Sequence, residues 1–239
     1  MKKLIVITGA SSGIGEAIAR QFSELGHPLL LLARRIERLE ALNLPNTLCA
    51  KVDVTNQQDF IDAIKHAESK YGPVDGLINN AGCMLLGQLD TQDPNEWKSM
   101  FDVNVLGLMN GMQAVLAPMK ERQTGTIINI SSIAGRKTFG NHAVYCGTKF
   151  AVHAISENVR EEVADSNVRV TTIAPGAVDT ELLSHTSSDD IKNDYKDWTA
   201  SMGGALVADD IARTVVFAYQ QPQNMCIREI VVAATKQTM

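Results

Sequence analysis

Leu4-Ile5-Val6-Ile7-Thr8-Gly9-Ala10-Ser11-Ser12-Gly13-Ile14-Gly15 passes from an apolar run through a glycine turn. It then enters a stripe of Ile14, Ile18, Phe22 and Leu25 at helical spacing, with Gly26 where a helix should end. The order is strand, glycine turn, helix. A helix N-terminus offers unpaired N–H groups, and glycines let backbone approach a ligand closely, so the segment suits a pyrophosphate. Its spacing, G-x-x-x-G-x-G, departs from the general G-x-G-x-x-G dinucleotide fingerprint, and glycines serving only a surface turn are the competing reading.

Outward from this segment, short apolar runs alternate with longer stretches of helical period, which predicts βα units around a buried parallel sheet. Strands are expected at Leu4 to Thr8, Leu29 to Ala33, Thr47 to Val52, Gly76 to Asn79, Thr126 to Ile130, Arg169 to Ala174 and Ile227 to Val232. Two long helices are expected, from about Asn95 toward Arg122 and from about Ala143 to Asp165, with Pro118 bending or shortening the first. Asp93 before Pro94 is a helix-start signal.

At 239 residues, with 45% hydrophobic and 21% charged residues, the chain fits one domain with a large core. A net charge of -5 without a basic stripe argues against nucleic-acid binding. The apolar run after Lys2-Lys3 is too short for a signal core or membrane span, so a cytoplasmic protein without a membrane partner is expected. Cys49, Cys83, Cys146 and Cys226 lack C-x-x-C spacing, which predicts free thiols and neither disulfides nor a metal site.

The chemistry is carried by Tyr145 and Lys149, with Ser132 upstream of them. Four residues apart on a helix, a lysine lies on the tyrosine's face, and a cation beside a phenol favours phenolate. That would draw the phenol, which titrates near ~10 in water, toward neutrality, where it exchanges a proton with a substrate oxygen. No acidic residue stands where one would bind the ribose hydroxyls of NAD. Arg34 and Arg35 follow the second strand instead, which favours a 2′-phosphate and hence NADPH. Arg34 is the preferred contact, supported by Ser11 or Ser12; the competing reading is that the arginines, Arg35 before Arg34, solvate the next helix. Asp53 either bonds the adenine or caps the helix beginning near Gln57.

With Thr8 to Gly15, Asn79-Asn80-Ala81-Gly82, Asn104, Ser132, Tyr145-x-x-x-Lys149 and Pro175-Gly176 in this order, the chain resembles the classical short-chain dehydrogenases/reductases over nearly its whole length. The resemblance implies a single Rossmann-type domain over 1–239, a doubly wound seven-stranded parallel sheet with helices on both faces. It implies an enzyme moving hydride between NADP(H) and a small or medium carbonyl or alcohol. Tyr145 would be the acid/base and Ser132 would hold the carbonyl, with Ser131 facing away. Lys149 would lower the tyrosine pKa and bind the nicotinamide ribose, and Asn104 would hold a relay water from a distorted helix or simply bond backbone. The cofactor would lie along Gly9, Ser11, Ser12, Gly13, Ile14 and Gly15, then Arg34, Arg35, Asp53 and Val54. Asn80, Ala81 and Gly82 would flank the adenosine ribose, Pro175, Gly176 and Val178 the nicotinamide, and Thr180 its carboxamide. Members of the family assemble as tetramers through the two long helices.

The substrate wall implied by the family comprises Cys83 to Gln88, Ile133 to His142 and Thr180 to Gly204. Met84, Leu85 and Leu86 would make it apolar, Phe139 and His142 would add contacts, and Glu181 to Asp197 would form a polar, mobile lid. Arg34-Arg35 and the segment Asn224 to Gln237 are similar to a bacterial subgroup of NADP-dependent 3-hydroxy acid and serine dehydrogenases. The chain as a whole is also similar to a blue fluorescent member from a marine bacterium that emits through bound NADPH, so a cofactor-binding fluorescent protein with little turnover is the alternative function.

Overall fold

A computed structural model describes residues 2–238, leaving Met1 and Met239 outside the described residues. The first half of the chain runs β1 (Leu4–Thr8), α1 (Gly13–Glu24), β2 (Leu29–Ala33), α2 (Ile36–Glu40), β3 (Thr47–Lys51), α3 (Gln57–Tyr71), β4 (Val74–Asn79) and α4 (Pro94–Phe101). A π-helical turn, Asp102–Gly107, joins α4 to α5 (Leu108–Arg122), followed by β5 (Gly125–Ile130) and α6 (Ala143–Glu162). The rest is β6 (Val168–Pro175), α7 (Asp189–Ser201), α8 (Ala208–Gln220) and β7 (Glu229–Val232).

All seven strands join one parallel sheet in the order β3-β2-β1-β4-β5-β6-β7. β1 shows why it forms: all five of its residues are buried, and successive side chains enter opposite layers. Leu4 and Val6 pack with Phe60 and Ile64 of α3, Leu108, Met112 and Val115 of α5 and Val152 of α6. Ile5 and Ile7 pack with Ile18 and Phe22 of α1 and Ile211 and Val215 of α8. Burial on both faces is what the continuous apolar runs require. Because the strand order reverses between β1 and β4, a crevice opens at their C-terminal ends.

The strands begin or end within two residues of the expected positions. Asp93 caps α4 as expected, accepting from the Asn95 N–H with Pro94 behind it. Pro118 does not shorten its helix, which continues to Arg122 and closes on Gln123 at φ 54°. A helical proline costs about 3 kcal/mol. Val115 and Met119, 1% and 0% exposed, offset that, since a fully buried apolar side chain contributes roughly 1.5–3 kcal/mol. The expected second long helix stops at Glu162, and a short 3₁₀ turn, Ala164–Ser166, completes the connection to β6.

Candidate active site

The strand C-termini enclose a cavity of about 870 Å³, and every residue expected at the site lines it except Gly15 and Asn104. At its mouth Gly9 turns with φ +66°, and a Cβ there would lie 2.8 Å from the Ala81 Cα, so β1 and the loop after β4 meet backbone to backbone. Thr8 Oγ1 accepts the N–H groups of Asn80 and Ala81 at 3.0 Å, and Asn80 Nδ2 donates to the carbonyls of Thr8 at 3.0 Å and Gly9 at 3.3 Å. Asn80, expected beside a ribose, thus spends its amide on bracing the glycine loop. Gly15 packs against the Gly9 carbonyl, behind the cavity wall.

At the inner end, Tyr145 and Lys149 stand one turn apart on α6, 5% and 7% exposed. Lys149 Nζ donates to the Ile130 carbonyl at 3.1 Å and lies 5.7 Å from the Tyr145 ring centroid. Burial dominates both groups. It brings Lys149 down to about 8 and pushes Tyr145 up, with the Ser132 hydroxyl opposing the shift through its hydrogen bond to the phenol. The sequence predicts a tyrosine depressed by Lys149. In the protein itself the ammonium is directed to a carbonyl and desolvation outweighs it. Ser131 faces the other way, its Oγ 3.3 Å from the Lys149 carbonyl oxygen and 3.1 Å from His153 Nδ1.

Asn104 lies in the π-helical turn, a distortion that the sequence reading anticipates. Its Oδ1 accepts from Cys83 N at 2.8 Å, and its Nδ2 donates to the Cys83 carbonyl at 2.9 Å and to Thr148 Oγ1 at 3.1 Å. It therefore clamps the backbone of the loop after β4. Gly82 sits between its Oδ1 and Lys149 Nζ, 3.2 and 3.9 Å from a Cβ placed there.

At the outer end, Arg35 rather than Arg34 turns onto the glycine loop. Its Nη2 donates to Ser12 Oγ at 2.9 Å and Ser11 Oγ at 3.2 Å. Arg34 lines the cavity from an exposed position and makes no ion pair among the described residues. The reason is local: Arg35 is the residue from which α2 starts, which swings it back across α1. Arg38, not anticipated, joins it, and the Glu181 carboxylate bridges the two, accepting from Arg35 Nη1 at 3.0 Å and Arg38 Nη1 at 2.8 Å. These guanidinium groups hold Glu181 down to about 2. An anion on this cluster shows that its donors suit one. Ser12 precedes α1 without capping it, so N–H groups of the first turn remain available beside the cluster.

Asp53 does not cap α3; it takes the Thr55 N–H and hydroxyl, and Asn56 accepts from Gln58 N and Asp59 N instead. Thr180 packs its methyl against Gly13, while its Oγ1 accepts from Leu182 N at 3.3 Å. Val178 pairs with Leu206 at the cavity floor. Gln237 also reaches the site, its Oε1 accepting from Ala177 N at 3.0 Å.

Met84 and Leu86 pack with Tyr145, Phe139, Leu182, Leu183, Ile191 and Tyr195 into an apolar chamber. His142 lines it, half-buried. Burial lowers its pKa, and its ring lies 6.2 Å from that of Tyr145. The segment expected to be a mobile lid is a 3₁₀ turn, Glu181–His185, followed by α7. Ile191, Tyr195 and Trp198 of α7 line the chamber. Their spacing of four and three within a polar stretch was the available signal.

The family model for short chain dehydrogenase matches residues 3–191. An uncharacterized oxidoreductase of Staphylococcus saprophyticus is 40% identical, with 99% of this chain and 98% of the relative covered. Serine dehydrogenase in a closed form complexed with NADP+ superposes with a TM-score of 0.91 at 31% identity, covering 99% of this chain and 96% of that one. An alcohol dehydrogenase from the archaeon Thermococcus sibiricus, complexed with 5-hydroxy-NADP, gives 0.86 at 27% identity over 100% and 99% of the two chains.

Proposed function

The chain belongs to the short chain dehydrogenase family, and from that premise we propose that it is an NADPH-dependent oxidoreductase interconverting a small or medium carbonyl compound and its alcohol. The observation that carries this reading is one continuous cavity with an anion-binding cluster at one end and Ser132, Tyr145 and Lys149 at the other. Arg35, Arg38, Ser11 and Ser12 would hold the 2′-phosphate, and the α1 N-terminus the pyrophosphate. Bound NADPH supplies the hydride.

The protein's own part is positioning and proton transfer. Ser132 holds the substrate oxygen beside the phenol. Tyr145, kept protonated by burial, donates its proton to that oxygen, and Lys149 contributes positive charge as the phenolate forms. Asn104 keeps Cys83, and with it the chamber wall, in place. The chamber is walled by Met84, Leu86, Phe139, Ile191, Tyr195 and Trp198, largely apolar side chains that favour an uncharged carbonyl compound over a keto acid.

The proposal extends to a single domain over 1–239 acting as a cytoplasmic homotetramer. In support, Phe101, Leu106 and Phe150 are exposed on the α4 and α6 side, and among the described residues no helix is long and apolar enough to cross a membrane. The test is fluorescence titration with NADPH and NADH, followed by a panel of aldehydes, ketones and β-keto acids. Consumption of bound NADPH by one carbonyl compound is expected, and Tyr145→Phe should cut turnover by about 10²–10⁴ while leaving binding intact. Blue emission surviving every carbonyl compound would transfer the assignment to the fluorescent-protein reading.

A further inference from the structure

We propose that Glu181 is a specificity-determining residue, an internal anion that occupies the Arg35, Arg38, Ser11 and Ser12 cluster until the 2′-phosphate of NADPH displaces it. The inference rests on the proposed cofactor reading and adds to it a competitor carried by the chain. The geometry is that of a substitute for a phosphate. Both Glu181 carboxylate oxygens are engaged, Oε2 with Arg35 Nη1 at 3.0 Å and Oε1 with Arg38 Nη1 at 2.8 Å. Arg38 Nη1 also reaches Oε2 at 3.0 Å, while Arg35 keeps its other nitrogens on the two serines. A phosphate presents the same acceptor oxygens to such a fork, with more charge.

Glu181 also sits where displacement has a consequence. It follows Thr180, which packs on Gly13 of the phosphate loop, and it opens the turn that leads into α7 and its Tyr195 and Trp198. The side chains of Arg35, Arg38 and Glu181 are 40%, 45% and 46% exposed, so solvent weakens the pairs and an incoming phosphate can reach them. Such a competitor lowers affinity only for a cofactor that needs the cluster. NADH, lacking the 2′-phosphate, leaves Glu181 in place.

The experiment is fluorescence titration of wild type, Glu181→Gln and Glu37→Gln with NADPH and with NADH. Glu37 is an exposed carboxylate beside Arg38 on α2 that makes no ion pair among the described residues, so its variant reports the effect of removing one negative charge nearby. Glu181→Gln is expected to bind NADPH about three- to tenfold more tightly, with NADH unchanged and Glu37→Gln close to wild type. Equal tightening toward both cofactors, or the same gain from Glu37→Gln, would mean a general charge effect and overturn the proposal. If wild type prefers NADPH and Glu181→Gln leaves that preference where it was, the cofactor reading stands and Glu181 is only a surface ion pair. A wild type without preference for NADPH would bring down both.

Discussion

Burial moves Tyr145 and Lys149 in opposite directions, and the pH dependence of the proposed reaction follows from the two signs. Tyr145 is pushed up, so it holds its proton throughout the neutral range and is ready to act as an acid in carbonyl reduction. Lys149 is brought down to about 8, so its positive charge is lost as pH rises through that value. Reduction should therefore proceed well below pH 8 and decline above it. Alcohol oxidation, which needs the Tyr145 phenolate as proton acceptor, should instead increase toward alkaline pH. Initial rates in both directions across pH 6 to about 10 check this, and a reduction rate that climbs through pH 8 would contradict it. The residues themselves could be named in advance, Tyr145 and Lys149 because they are four apart and Ser132 because the family's spacing selects it over Ser131. Their electrostatics could not be. The sequence shows that a lysine shares the tyrosine's helix face, but the Ile130 carbonyl that takes Lys149 Nζ comes from a strand folded against that helix.

Among the elements, the segment after β7 does most to complete the site without being recognisable in advance. It returns Gln237 beneath the end of β6, where its Oε1 accepts the Ala177 N–H while its buried Nε2 has no partner among the described residues. Gly176 makes this possible, since a Cβ there would stand 2.3 Å from Gln237 Oε1 and 2.9 Å from Ala233 Cβ. Gly176→Ala should destabilise the protein by about 1–3 kcal/mol through overpacking. Gln237→Ala should cost about as much by leaving the Ala177 N–H unsatisfied. Because the small side chain at 237 relieves the clash, the double variant should lose less than the two losses added. Urea unfolding of all four proteins checks the coupling, and strict additivity would show that the tail and the turn are independent. The π-helical turn lies at the other extreme, anticipated from the family resemblance at Asn104. α7 lies between them: its polar surface reads as a loose lid, and only the spacing of Ile191, Tyr195 and Trp198 points to a helix with one side on the chamber.

For the molecule as a whole, the cavity draws walls from the ends of β1, β2, β4, β5 and β6 together with α6 and α7, so a ligand filling it ties both layers of the fold together. NADPH at one hundred times its dissociation constant should raise unfolding stability by about 2.7 kcal/mol, or roughly 5–10 °C in Tm for a chain of this size. A thermal scan with and without NADPH measures it, and an unchanged Tm at saturation would speak against binding to the folded state. The sequence by itself determined the sheet and its layers, because apolar runs, helical stripes and glycine turns are local patterns whose periods dictate how each element is buried. It likewise determined the tyrosine, lysine, serine and glycine-loop positions, which are marked by spacing along the chain. Only the tertiary structure decided that Arg35 and Arg38 face the loop serines, that Glu181 lies across them, and that Gln237 supports Ala177. Those contacts join residues distant in sequence, and which charge meets which depends on where each helix starts after its strand, a geometry that no local period records.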